Sequence, residues 1–209
     1  MNYFVTGATG FIGRHLVEEL LKRDGTVYVL VREGSRGKVD ALAQRLDAGD
    51  RIVPVPGDLS QPGLGVEGFD EPIDHVFHLA AVYDIEADAA ASELANVQGT
   101  RHVVEFANAR EVGRFHHVSS VAVAGDYRGV FQENMFEQGQ KLPHHYHRTK
   151  YESEAIVRAE VKADTLVYRP GLVIGHSQTG EMDKVDGPYY MFTLLKKLRG
   201  ALPAWFPLA

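Results

Sequence analysis

Apolar positions along the chain follow two rhythms. Short runs dense in β-branched and aromatic residues, at Asn2–Thr6, Thr26–Val31, Arg51–Pro56, His75–Leu79, Arg114–Val118 and Thr165–Arg169, have the length and composition of strands. The longer stretches between them, Ile12–Arg23, Lys38–Leu46, Ala87–Ala109 and His147–Val161, repeat apolar residues every three or four positions, as helices with one buried face do. Strand and helix alternate throughout, which predicts an α/β fold built on a doubly wound parallel sheet flanked by helices. Connections such as Pro62-Gly63-Leu64-Gly65 are short, and no internal repeat or low-complexity linker breaks the pattern, so a single domain over residues 1–209 is expected. The tail from Gly187 to Ala209 reads differently, with Pro188, Pro203 and Pro207 around an amphipathic stretch, Tyr190–Leu198. A short helix is expected there, covering a core or a partner segment in preference to facing a membrane or an acyl chain.

The first strand runs directly into Thr6-Gly7-Ala8-Thr9-Gly10-Phe11-Ile12-Gly13, and these glycines open the first helix. Strand, glycine turn and helix in that order form the context of a dinucleotide fingerprint of the Rossmann type. Gly7 can adopt backbone angles closed to other residues, Gly10 admits the main chain close to a pyrophosphate, and Gly13 lets helix and strand pack tightly. The uncapped N–H groups and the helix dipole then favour the phosphate charge. Together Gly7, Thr9, Gly10, Phe11, Ile12 and Gly13 are the expected pyrophosphate-side contacts. The spacing is Gly-x-x-Gly-x-x-Gly, the variant of short-chain dehydrogenases. At the end of the second strand, where an NAD site carries Asp or Glu, this chain has Val31-Arg32. A guanidinium there can pair with a ribose 2′-phosphate, with Arg14, Ser35, Arg36 and Lys38 near in sequence, and NADPH is the expected cofactor. The competing interpretation is an ordinary solvated pair of Arg32 with Glu33.

Further along, Tyr146-His147-Arg148-Thr149-Lys150 sets a phenol and an ammonium four residues apart at the start of a helix, hence on one face. The pair Ser119-Ser120 ends the preceding strand, at the sheet edge where doubly wound folds bind ligands. A free phenol titrates near ~10, and a neighbouring ammonium favours phenolate, so Tyr146 becomes a usable general acid in the reductive direction. Lys150 would also hold the nicotinamide ribose, and Ser120 would donate to a carbonyl oxygen as charge grows on it.

Composition narrows the function classes. The 209 residues contain no cysteine, which removes disulfides, thiolate nucleophiles and Cys-ligated metal, and fits a cytoplasmic location. A net charge of −6, with the 22 Lys and Arg scattered, offers no surface for nucleic acid. No apolar run approaches the length of a membrane span, and the first strand begins too early to leave room for a leader. The ten histidines include His116-His117 and the group His144, His145 and His147, but neighbours in sequence seldom converge on one ion. Structural or solvent roles are expected for them, and no metal site.

Seven segments in order, Thr6–Gly13, Gly57-Asp58-Leu59, His78-Leu79-Ala80-Ala81, Asn96-Val97-Gln98-Gly99-Thr100, Val118-Ser119-Ser120-Val121, Tyr146–Lys150 and Arg169-Pro170-Gly171, make the chain resemble an extended short-chain dehydrogenase/reductase over essentially its whole length. The resemblance implies that Asp58 and Leu59 meet adenine and that Ala80 and Ala81 line the path of the ribose and diphosphate. It further implies that Asn96 supports the active-site helix and a proton relay, and that Pro170 and Gly171 approach the nicotinamide. Counting five residues back from Gly125 selects Ser120 over Ser119.

Three further stretches, Val29–Ser35, His75–Asp84 and Gly175–Tyr190, are similar to the N-terminal reductase domain of bacterial fatty acyl-CoA reductases. That similarity implies a fatty acyl-CoA or fatty aldehyde as the partner molecule. Those enzymes are long, so residues 176–209 read as the start of a substrate-binding subdomain that is largely absent, with the parent chain continuing. Two other functions stay open: a nucleotide-sugar epimerase or dehydratase using the same triad, which Arg32 disfavours, and a non-catalytic dinucleotide-binding module. Self-association into a homo-oligomer is also left open.

Overall fold

The computed structural model describes residues 1–81, 93–182 and 188–201. Six strands, β1 (Asn2–Thr6), β2 (Thr26–Val31), β3 (Ile52–Pro56), β4 (His75–His78), β5 (Arg114–Val118) and β6 (Asp164–Tyr168), form one sheet in the order β3-β2-β1-β4-β5-β6. Every neighbouring pair is parallel. The order reverses between β1 and β4, and a crevice opens at the carboxyl ends of those strands. Among the described residues the α-helices are α1 (Phe11–Leu21), α2 (Arg36–Arg45), α3 (Gly99–Ala109), α4 (His145–Glu160) and α5 (Pro188–Ala201). The backbone divides into two compact units, Met1–Gly171 and Leu172–Ala209. The first holds the whole sheet. The second contains α5, which exposes Met191, Phe192, Leu194, Leu195 and Leu198.

The α/β pattern read from the sequence is the one present, with element ends moved by a residue or two. One stretch differs in kind. The helix expected over Ala87–Ala109 begins, within the described residues, as a π-helical turn at Leu94–Gln98 and becomes regular only at Gly99; residues 87–92 lie outside the described residues. Apolar spacing is blind to that widening, which places Asn96 inside the protein at 2% exposure.

Strands β1 and β2 are buried along nearly their whole length, as strands of a parallel sheet covered on both faces must be. Side-chain alternation deals their residues into two cores. Phe4, Tyr28, Leu30, Val76 and Phe115 pack with Val103, Phe106 and Val157 of α3 and α4. Tyr3, Val5, Val27, Val29 and Val31 pack with Val17, Leu20, Val39 and Leu42 of α1 and α2. Each such side chain contributes about 1.5–3 kcal/mol through burial. Edge strand β6 is covered only in part, and Leu166 and Tyr168 stay open.

The cores also enclose imidazoles. Burial holds His78 down to about 3 and His116 to about 4, with Lys150 adding to the first and His75 and Arg114 to the second. Burial likewise pushes His117 well below its ordinary value, and neither of its ring nitrogens has a hydrogen-bond partner among the described residues. Unfolded histidines take a proton near 6.5, while these remain neutral in the folded chain. Stability is therefore fully present above that value and is lost as pH falls from it toward the folded values, at roughly 1.4 kcal/mol per histidine per pH unit. Thermal unfolding followed by circular dichroism should show a falling midpoint between pH 7 and pH 5. A midpoint that holds or rises would contradict the buried neutral imidazoles.

Candidate active site

The glycine turn is shaped by crowding. Gly7 has φ +76°, and a Cβ there would stand 2.7 Å from the Ala80 nitrogen. A Cβ on Gly13 would run into the Gly7 carbonyl oxygen. Only glycine satisfies both positions, and the result is a turn pressed flat against the end of β4. Gly10 caps α1 without a side-chain bond, and no acidic residue stands in the first turn. The exposed N–H groups of that helix end are suited to an anion.

Beside the turn lies a cavity of about 430 Å³. It is lined by Thr6–Thr9, Val29–Arg32, Ser35, Gly57–Ser60, Ala80 and Ala81. Of the expected cofactor residues, Gly7, Thr9, Arg32, Ser35, Asp58, Leu59, Ala80 and Ala81 therefore share one wall system. Arg36 and Lys38 are exposed on α2, outside that lining. Among the described residues Arg32 makes no ion pair with Glu33, so its guanidinium is free to meet another anion. The Asp58 carboxyl is held below its ordinary value, chiefly by the Ser60 backbone N–H donating to it at 2.8 Å, with Arg32 assisting. A second, larger and mostly apolar recess adjoins the ends of β4–β6. Ile12, Val118, Val121 and Pro170 line it, whereas Gly171 does not.

Of the expected triad, the turn after β5 carries Ser120, and α4 carries Tyr146 and Lys150. Thr149, Lys150, Ser153, Glu154, Ile156 and Val157 make its buried stripe, and Tyr146 is half-buried one turn before Lys150. The Lys150 ammonium is 4% exposed and donates to the Val118 carbonyl at 2.7 Å. Burial lowers its pKa to about 8, against an opposing pull from Glu154. Two residues past Val118, Ser120 caps the turn Val121–Ala124, which packs against α4. Its oxygen accepts from the Ala122 N–H at 3.1 Å, and among the described residues its own O–H has no acceptor. Ser119 is different: its hydroxyl donates to Glu154 at 2.6 Å. Geometry and spacing thus favour the same serine as the one left to donate to a substrate. Asn96 reaches α4 through its amide, which donates to the Thr149 hydroxyl at 3.2 Å.

Glu154 was not among the residues singled out by sequence. It is fully buried and binds Arg169 at 2.6 Å and Arg158 at 2.7 Å besides Ser119. Burial pushes its carboxyl up, and the hydrogen bonds from Arg169, Ser119 and Arg158 more than offset that, leaving it below its ordinary value. Arg169 in turn donates to the Met135 carbonyl at 2.8 Å, fixing the long connection between β5 and α4. The available signal was spacing: Tyr146, Lys150 and Glu154 recur every four residues on one helix face. Among the described residues no group of His, Asp and Glu could hold a metal, and no helix is long and apolar enough to cross a membrane.

The family model described as Male sterility protein, an NAD-binding domain, matches residues 5–208, and the chain belongs to that family of extended short-chain dehydrogenases/reductases. It is 34% identical over 206 residues to a component of the linear gramicidin synthase of Brevibacillus parabrevis, covering 87% of this chain and 4% of that protein. A putative fatty acyl-CoA reductase of Drosophila melanogaster is 31% identical over 156 residues, covering 65% of this chain and 29% of the fly protein. Among solved structures, the terminal R domain from the myxalamid PKS-NRPS biosynthetic pathway superposes with a TM-score of 0.78 at 30% identity, over 95% of this chain and 54% of that one. UDP-galactose 4-epimerase follows at 0.70 and 25%, over 94% and 63%. The chain thus spans less than two thirds of each of these proteins.

Glu154→Gln tests the clamp. The amide still accepts from Ser119, but two guanidinium groups lose their counter-charge, and urea unfolding should show a loss of about 3 kcal/mol. A loss under about 1 kcal/mol would mean that the carboxylate is not holding the arginines in place.

Proposed function

We propose that this chain is the cofactor-binding and proton-donating part of an NADPH-dependent reductase acting on a fatty acyl thioester or fatty aldehyde. The observation that carries the reading is the Lys150 to Val118 bond. It docks the Tyr-x-x-x-Lys helix on the same strand end that presents Ser120, beside a glycine turn shaped for a pyrophosphate. The cavity lining supports the adenosine and phosphate half of a dinucleotide: Arg32 at the β2 end is the candidate partner of a 2′-phosphate, and Asp58 and Leu59 are the candidate adenine walls.

When bound, the dihydronicotinamide supplies a hydride to the substrate carbonyl carbon. Ser120 donates to the carbonyl oxygen and stabilises the charge that develops there. Tyr146 gives that oxygen its proton, so an aldehyde becomes an alcohol. With a thioester, the C–S bond breaks after hydride addition and the thiol leaves with the proton, giving an aldehyde. Lys150 orients the cofactor ribose and supports proton supply to the phenol. The apolar recess bordered by Val121 and Pro170 suits an alkyl chain better than a sugar. The name of the fly relative, a putative fatty acyl-CoA reductase, points the same way.

The full chain should consume NADPH with a long-chain acyl-CoA or a fatty aldehyde and not with a UDP-sugar, followed by NADPH absorbance. Tyr146→Phe should abolish turnover while leaving NADPH affinity within about twofold of wild type, since only the transferred proton is removed. Consumption with the sugar alone would defeat the proposal. Arg32→Asp should reverse the preference for NADPH over NADH by about tenfold or more, as a bidentate charge pair is replaced by repulsion. An unchanged preference would remove Arg32 from the 2′-phosphate site.

A further inference from the structure

From Thr6 at the cofactor cavity to Asn96 and Thr149 beside the triad runs a line of buried polar groups, whose middle members, His78 and Thr100, belong to neither site. Thr6, His78, Thr100, Asn96 and Thr149 are each at most 2% exposed. Starting at the cavity wall, the Ala80 N–H donates to the Thr6 hydroxyl at 3.3 Å, and that hydroxyl lies 2.8 Å from His78 Nδ1. On the other side of the ring, Nε2 lies 2.9 Å from the Thr100 hydroxyl, which donates to the Asn96 carbonyl at 2.6 Å. The Asn96 amide continues to the Thr149 hydroxyl, which donates to the Tyr146 carbonyl at 3.2 Å.

The direction of each bond can be deduced. A hydroxyl has one proton, and Thr100 spends its own on Asn96, so it must accept from His78, which is therefore protonated at Nε2. The bare Nδ1 then accepts from Thr6, whose oxygen is left to take the Ala80 N–H. Only one tautomer satisfies every partner. A proton on Nδ1 as well would leave the Thr6 hydroxyl proton without this acceptor, so the neutral ring is the form that uses every donor. Its burial beside Lys150 enforces neutrality.

We propose that His78 is a positioning residue whose neutral Nε2–H ring ties the strand end carrying the glycine turn to Asn96, and through Asn96 to the helix that carries Tyr146. The cofactor wall at Ala80 and the backbone of the proton donor are then set by one directional chain, so that the two sites keep a fixed relation. This rests on the reading of Tyr146 as the proton donor.

Thr100 offers the cleanest cut because it touches neither cavity. Thr100→Val removes the hydroxyl at nearly equal volume, and Thr100→Ser keeps it. With acyl-CoA or aldehyde as substrate, Thr100→Val should lower kcat by about tenfold or more with NADPH affinity changed by less than about twofold, and Thr100→Ser should restore kcat. A second readout needs no turnover, so that failure of the reductase reading leaves it intact. Long-range proton–nitrogen spectra of the labelled chain should show His78 as the Nε2–H tautomer from pH 5 to pH 8. NADPH should shift the Asn96 side-chain amide in wild type and Thr100→Ser but not in Thr100→Val. An Nδ1–H tautomer, an Asn96 response that survives in Thr100→Val, or a Thr100→Ser variant as impaired as Thr100→Val would each overturn the proposal.

Discussion

Helix α4 presses two ionisable groups, the Lys150 ammonium and the Glu154 carboxylate, against the end of β5, and the candidate site depends on both being paired. An ionised group buried without a partner would be neutralised or would force the helix away. Lys150 finds the Val118 carbonyl, and Glu154 finds Ser119 and two arginines. Consecutive turns of the helix thus bind consecutive residues of the strand. This stitching sets the rotation of α4 about its axis and hence the direction in which Tyr146 emerges. It also occupies Ser119, which separates two adjacent serines that look alike in sequence.

The fold was largely legible because its cause is local. A parallel sheet covered on both faces imposes nearly continuous apolar strands, and β1, β2 and β5 begin and end where the residue pattern places them. The glycine turn was legible for a related reason, since Gly7 and Gly13 answer steric demands made by their immediate neighbours. What spacing could not convey was long-range polar pairing. His78 to Thr100 spans 22 residues and Arg169 to Glu154 spans 15, and no periodicity announces either. The π-helical turn at Leu94–Gln98 escaped for another reason: it differs from a regular helix by the span of its hydrogen bonds, five residues instead of four, not by its apolar content.

In the proposed reading, cofactor choice and proton transfer rest on different parts of the molecule. Arg32, at the end of β2, is exposed and makes no contact that the fold requires, so its identity can vary without disturbing the cores. Lys150 is tied to the end of β5 by a buried bond and has no such freedom. One scaffold can therefore serve different reactions, as the names of the fly reductase and the epimerase illustrate.

Strand β1 contributes side chains to both cores, Phe4 to one and Tyr3 and Val5 to the other, and it pairs with β2 on one side and β4 on the other. Opening it requires both helical layers to come apart, which puts its amides among the slowest to exchange with solvent. The phosphate turn begins at the last residue of that strand. A nucleotide held there is anchored on a central strand buried between both cores, so its binding energy opposes global unfolding instead of merely quieting a loop.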